Sequence, residues 1–246
     1  MNTDELWLHT ILKKNNLSIT AIQLQQLQAY KEQLLHWNHK INLVSRKDEK
    51  NLWKAHIFMS IAVLFKIDFR FCARVLDLGT GGGLPGIPLS IMLPKIEFVL
   101  LDSIQKKVMA VQSIISDLPL SSVSAICGRA EDIQAQTSMQ KSFKVVIARA
   151  VSNLNNLILW GYPFLEEDKT PNILVPTDAE YHGSESLSDK LVLKKPSLVM
   201  FKGGNFSEEV AAARRFFPKL FIHSLPLTFK GSEEFSNVEK HLVIVQ

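Results

Sequence analysis

The chain has 246 residues, 46% of them apolar and 21% charged, close to the averages of globular chains, so wholesale disorder and collagen-like repetition are excluded. Its length predicts one large domain or a domain with an appendage. The net charge of +4 is too mild by itself to establish a polyanionic partner, and no apolar run is long enough for a membrane span.

The amino terminus, MNTDELWLHTILKK, lacks the basic-then-apolar order of a signal peptide, so a cytoplasmic location away from membranes is expected. Charge is uneven along the chain: residues 1–72 sum to +4, residues 73–160 to +2 and residues 161–246 to −2. A surface for phosphates could lie in the first block, where Lys13, Lys14, Lys31, Lys40, Arg46, Lys47, Lys50 and Lys54 face few acids. Solvated helix faces explain the same pattern. Thr20 and Gln23 have capping-box spacing, and Leu27, Tyr30, Leu34, Trp37 and Ile41 follow at steps of three and four, which predicts an amphipathic helix. A second helix is predicted from about Glu49 to Phe65, with Leu52, His56, Met59 and Val63 on one stripe. The division expected is a helical region over 1–70 and a second domain over 71–246.

From Arg74 the texture changes to short apolar runs, RVLDL, IEFVLL, VSAIC and FKVVIA, separated by glycine loops and helical periods. Strands alternating with helices predict a mostly parallel sheet covered on both faces, with ligands gathering at the carboxyl ends of the strands. Residues 161–200 read as loops and short strands, Glu208 to Phe217 as a helix, and LFIHSL with HLVIVQ as an antiparallel edge. Cys72 and Cys127 are too few for a disulfide framework or a four-ligand metal site and read as buried small hydrophobes. His36 and His39 lack carboxylate or thiolate companions beyond Glu32, so no metal site is expected.

The most informative stretch is Val75 to Pro88, VLDLGTGGGLPGIP, a buried strand running into a glycine turn and then a helix. Gly81, Gly83 and Gly86 satisfy the dinucleotide pattern G-x-G-x-x-G, which keeps a nicotinamide oxidoreductase open. Against it stand Asp77 two residues before Gly79, the early start of the turn, and the flanking Pro85 and Pro88. The run D-x-G-x-G instead resembles the first motif of S-adenosylmethionine-dependent methyltransferases, and an acid there suits an ammonium-bearing ligand and repels a pyrophosphate. Asp102, at the end of the next strand, can accept from ribose hydroxyls or cap the following helix. After the third strand, Ala130 could lie against an adenine while Glu131 or a backbone group reads its amino edge. Arg149 ends the fourth strand, as a substrate or cofactor clamp or as the partner of an acid such as Asp77.

Taken together, the string LDLGTGGGLPGIPLSI, with NLVSRKDEKNLWKAHIFMS, LLDSIQKK, VIARAV and FKGG in order around it, closely resembles the small-subunit ribosomal RNA guanine-N7 methyltransferase family, also called glucose-inhibited division protein B. The resemblance spans roughly Ile41 to Gly204 plus the last strand. It implies a class I methyltransferase fold, Rossmann-like, with a mostly parallel seven-stranded sheet, an antiparallel edge strand and an N-terminal helical extension. It further implies S-adenosylmethionine as cofactor, held at Gly79, Gly81, Leu84, Ala130, Glu131 and Arg149, with Asp102 on the ribose and Asp77 beside it. Arg149 is also the candidate for a catalytic role. The partner implied is 16S ribosomal RNA or the 30S subunit, with His56 as a candidate for RNA contact; within the basic band Lys47, Lys50 and Lys54 are the candidates for phosphate contacts, and a monomer is expected. A ribosome-binding module without chemistry would have decayed cofactor motifs, and here they are intact. The sequence departs from the family pattern at Lys47, Met59 and Ala148, and residues 178–188 have no clear counterpart.

Overall fold

In the computed structural model the described residues are 3–136, 138–168, 190–235 and 241–246; the stretch 178–188 lies outside them. Two helices open the chain, α1 (Thr3–Lys14) and α2 (Ala21–Asn38). The capping box forms as the spacing predicts: Gln23 N–H donates to Thr20 Oγ1 at 3.2 Å and Thr20 N–H to Gln23 Oε1 at 2.9 Å. Leu27, Tyr30 and Leu34 of α2 are buried.

The second predicted helix changes character along its length. A 3-10 turn (Glu49–Asn51) leads into a π-helix (Trp53–Phe58), then α3 (Met59–Ala62) and a 3-10 turn (Val63–Phe65). The π turn is a local widening of the sort that often marks functional sites.

The remaining elements are β1 (Ile67–Asp68), β2 (Arg74–Leu78), α4 (Gly86–Met92), β3 (Glu97–Asp102), α5 (Gln105–Asp117), β4 (Val123–Cys127), α6 (Ala130–Ile133), β5 (Val145–Arg149), α7 (Leu154–Gly161), β6 (Leu191–Val192), β7 (Ser197–Lys202), α8 (Ser207–Phe216), β8 (Ile222–Pro226) and β9 (His241–Val245). Seven strands form one sheet in the order β4-β3-β2-β5-β7-β9-β8, and β1 pairs with β6 separately. The first five of the seven are parallel; β9 runs antiparallel to both neighbours. The antiparallel strand therefore lies one place in from the edge, and the edge strand is β8. Between 161 and 200, where only loops and short strands were expected, β7 begins, and it proves to be a six-residue interior strand.

Both faces of the sheet are covered. One core joins Val75, Phe98, Leu100, Val145 and Ile147 to Leu27, Tyr30 and Leu34 of α2 and to Ile57 and Phe58. The other joins Leu76, Leu78, Val146 and Ala148 to α7 and α8. Strand residues alternate between these cores, as the period of two requires. Cys72 is buried, and burial pushes its thiol up to about 12; Cys127 is only half-buried, because it ends β4 at the rim of the sheet.

Candidate cofactor and RNA site

The strands β2, β3, β4 and β5 deliver Gly79, Asp102, Gly128 and Arg149 to one edge of the sheet, the carboxyl edge where open parallel sheets bind ligands. Gly79, Gly81 and Gly83 all have positive φ (74°, 58° and 93°), a backbone course that residues with a Cβ rarely follow. Gly79 and Thr80 N–H groups donate to Leu101 O, tying the start of the loop to β3.

Asp77 organises this loop from behind. It is fully buried, and its Oδ2 accepts from Thr80 Oγ1 at 2.6 Å and from Gly86 N–H at 2.8 Å, the first residue of α4. The carboxylate expected to meet a ligand directly thus faces α4 and the loop backbone. Burial pushes its carboxyl up to about 7, against the pull of the Thr80 and Gly86 hydrogen bonds; the nearby Asp102 charge raises it further and Arg149 lowers it. The folded chain therefore holds a proton that an unfolded carboxyl releases above about pH 4, so Asp77 removes stability as pH rises from about 4 to about 7. Asp77→Asn keeps an oxygen for Thr80 and Gly86 and is expected to flatten urea midpoints across this window. The gain over the native chain at pH 8 is at most about 4 kcal/mol; a variant that loses stability at pH 8 contradicts this reading.

Asp102 is also engaged by backbone. Its Oδ2 accepts from Gly81 N–H at 2.8 Å and its Oδ1 from Ile104 N–H at 2.9 Å. It bridges the glycine loop and the turn before α5, and each oxygen keeps a lone pair for a hydroxyl. Ala130, mostly buried, and exposed Glu131 open α6 beside it, with Gly128 N–H on Asp102 O. Leu84 is buried and joined to Pro85 by a cis peptide.

Arg149 is placed where sequence reasoning had no means of putting it. Its guanidinium reaches the π-helix: Nη2 donates to Ala55 O at 2.7 Å, and Nη1 to His56 O at 3.2 Å and Ser60 Oγ at 3.4 Å. The next residue, Ala150, is held at φ 54°, one of the sparsely populated conformations that cluster at functional sites. Val151 packs on Gly79, leaving no room there for a Cβ.

Of the RNA candidates, Lys47 and Lys50 are exposed, whereas Lys54 Nζ lies 4.8 Å over the Trp7 ring. His56 Nε2 is 3.4 Å from Asp48 Oδ2, so its imidazole is tied into the turn before the π-helix. Four further residues organise the site, and sequence reasoning did not single them out for it. Tyr30 Oη donates to Gly82 O at 2.9 Å, and burial raises its phenol well above the ordinary value, keeping it a donor. Leu43 packs on Gly82. Asn38 accepts from Leu43 and Val44 N–H. Lys202 Nζ donates to Glu209 at 2.6 Å and to Ser152 O at 3.3 Å, securing the loop after Arg149. Among the described residues there is no group of three metal-ligating side chains and no helix long and apolar enough to cross a membrane.

With this geometry in place, the comparison with known proteins decides the family. The model of the family described as rRNA small subunit methyltransferase G (GidB) matches residues 23–176. The chain belongs to the GidB family. The ribosomal RNA small subunit methyltransferase G of Pelodictyon phaeoclathratiforme is 34% identical over 242 residues, covering 98% of this chain and 87% of that one. Its counterpart in Chlorobium limicola is 32% identical over 252 residues, covering 100% and 98%. Among solved structures, the O-methyltransferase from Bacillus cereus in complex with SAH aligns over 99% of each chain with a TM-score of 0.51 at 16% identity. Cofactor-bound Rv0187 from MTB aligns over 90% of this chain and 88% of that one, at 0.50 and 16%. These likenesses give the fold, a class I S-adenosylmethionine-dependent methyltransferase. The GidB match spans the glycine loop, Asp102, Ala130 and Arg149, so the nicotinamide alternative falls away.

Proposed function

We propose that this chain transfers a methyl group from S-adenosylmethionine to N7 of a guanine in 16S ribosomal RNA, acting in the cytoplasm as a monomer. The observation that carries the reading is the GidB glycine string standing, with its backbone course and its Asp77 and Asp102 anchors, at the carboxyl edge of a class I sheet.

The residues suit the cofactor. Asp102 keeps acceptor capacity next to the Gly81 turn, matching the ribose of the ligand, while buried Asp77 holds the loop from behind. Gly79, Gly81 and Leu84 would hold the amino-acid portion, Asp102 the ribose, and Ala130 and Glu131 the adenine. When bound, S-adenosylmethionine supplies an electrophilic methyl on a sulfonium.

Guanine N7 has a lone pair and no proton, so no residue has to act as base. His56, tied to Asp48, is not required in that role. The protein contributes position and exclusion of water, which are worth several kcal/mol when reacting atoms are held in line. We assign Arg149 a positioning role: it fastens the π-helix to the end of β5, joining the helical region over 1–70 to the methyltransferase domain over 71–246. N7 faces the deep, narrow major groove of A-form RNA, so the target guanine must be unpaired or turned out of its stack. Lys47 and Lys50 lie free on the surface for phosphates.

Calorimetry of the purified protein with S-adenosylmethionine, NAD and NADP tests the cofactor assignment. Saturable binding of S-adenosylmethionine alone is expected; binding of a dinucleotide overturns it.

A further inference from the structure

The loop between α2 and the π-helix is more rigidly built than its polar sequence implies. Asn38, only 5% exposed, ends α2 and points its amide into this loop. Its Oδ1 accepts from Leu43 N–H at 2.8 Å and Val44 N–H at 2.9 Å, and its Nδ2 donates to Glu49 Oε1 at 2.6 Å. Three hydrogen bonds on one buried amide fix the segment at both ends. That fixed segment lies against the glycine loop: a Cβ added at Gly82 would come within 3.2 Å of Leu43 Cβ, and one at Gly81 within 4.0 Å of Leu43 O.

Residues Asn42, Leu43, Val44, Ser45 and Arg46 line a shallow, open hollow of about 350 Å³. Its rim is cationic. Arg46 and Lys47 are exposed; of the acids that follow them, Asp48 Oδ2 lies 3.4 Å from His56 Nε2 and Glu49 Oε1 accepts from Asn38 Nδ2. Among the described residues neither Arg46 nor Lys47 forms an ion pair. A hollow of mixed polar and apolar lining, with Arg46 in its wall, Lys47 next to it and the cofactor loop in contact with Leu43, suits an anion-bearing ligand that must come close to the reacting methyl.

We propose that this hollow receives the target nucleotide, with Arg46 on its phosphate and the Asn42 amide on its base edge. Guanidinium suits phosphate better than ammonium because it offers a planar fork of donors, and the neighbouring backbone is held still by Asn38. The proposal rests on the RNA methyltransferase reading above. The carboxylate of S-adenosylmethionine presents the same anionic chemistry to Arg46, so the experiment has to separate the two.

The test is steady-state methyl transfer to 30S subunits lacking the modification, with Arg46→Ala, Arg46→Lys and Asn42→Ala, beside calorimetry of each with S-adenosylmethionine. Arg46→Ala is expected to raise the KM for 30S about tenfold and to reduce the slope of binding against log salt by about one. Its cofactor affinity should stay within about twofold, and Arg46→Lys should recover part of the KM. Asn42→Ala should lower kcat/KM with cofactor affinity likewise unchanged. An unaltered KM in Arg46→Ala overturns the proposal, as does a parallel loss of cofactor affinity, which gives the hollow to the cofactor. If the native chain methylates no RNA, the functional reading fails and the proposal with it; a native chain that is active beside unaffected variants defeats this proposal alone.

Discussion

Replacing Arg149 with alanine is expected to reduce kcat for methyl transfer by about a hundredfold or more while the far-ultraviolet circular dichroism stays native. The guanidinium bonds to Ala55 O, His56 O and Ser60 Oγ, three acceptors on a segment far away in sequence. Without it, the π-helix loses its fastening to β5, and the groups it carries shift against the glycine loop. Displacements near 1 Å at a reacting centre cost about a hundredfold. Truncation also leaves Ala55 O short of a donor, while His56 O keeps Ser60 Oγ. A hydrogen bond to a charged group contributes about 1.5 to 3 kcal/mol, so a melting temperature lower by roughly 3–12 °C is expected. Arg149→Lys should not restore kcat, since one ammonium on a flexible stem does not reproduce a planar fork. Full activity in Arg149→Ala, or full rescue by lysine, contradicts the positioning role.

The second large effect is expected at Gly86. A Cβ there would stand 2.2 Å from Leu100 Cδ2 and 2.7 Å from Asp77 Oδ2, both on fully buried side chains. Neither neighbour has space to retreat, and moving Asp77 also disturbs its bonds to Thr80 and to Gly86 itself. Overpacking of this kind costs about 3 kcal/mol, which lowers the melting temperature by roughly 6–12 °C in a chain of this size. Gly204→Ala is the comparison: its φ is 66° but nothing lies within 4 Å of the added carbon, so only backbone strain of about 1–2 kcal/mol remains. Thermal denaturation of the two variants checks the order. Equal losses would mean that the crowding behind the glycine loop is relieved by movement.

Gly86 and Arg149 also show how much of this protein is readable from its residues. The glycine string, the short apolar runs at β2, β3, β4 and β5 and the capping box before α2 carry local signals, through turn chemistry, continuous apolar stretches and short-range hydrogen bonds, and each of them stands where its residues predict. The partners of Arg149 are main-chain carbonyls, which leave no mark in a sequence. The π turn at Trp53–Phe58 is hidden for a related reason: over six residues its apolar spacing is indistinguishable from that of an α-helix. SLVMFK of β7 was obscured by the polar, Pro-containing stretch before it, since a single apolar run becomes a central strand only through pairing with β5 and β9. Tyr30 reads as one of the apolar stripe of α2, and Asn38 carries no signal of its own; their polar atoms acquire a role only when the chain brings Leu43, Val44 and Gly82 to them.

The most direct test of the central claim is to incubate the purified protein with methyl-labelled S-adenosylmethionine and 30S subunits from a strain lacking the modification, then digest the RNA to nucleosides. The structure and family predict label in 7-methylguanosine from 16S RNA, at one position. Label in any other nucleoside, or none under conditions where the cofactor binds, would contradict it.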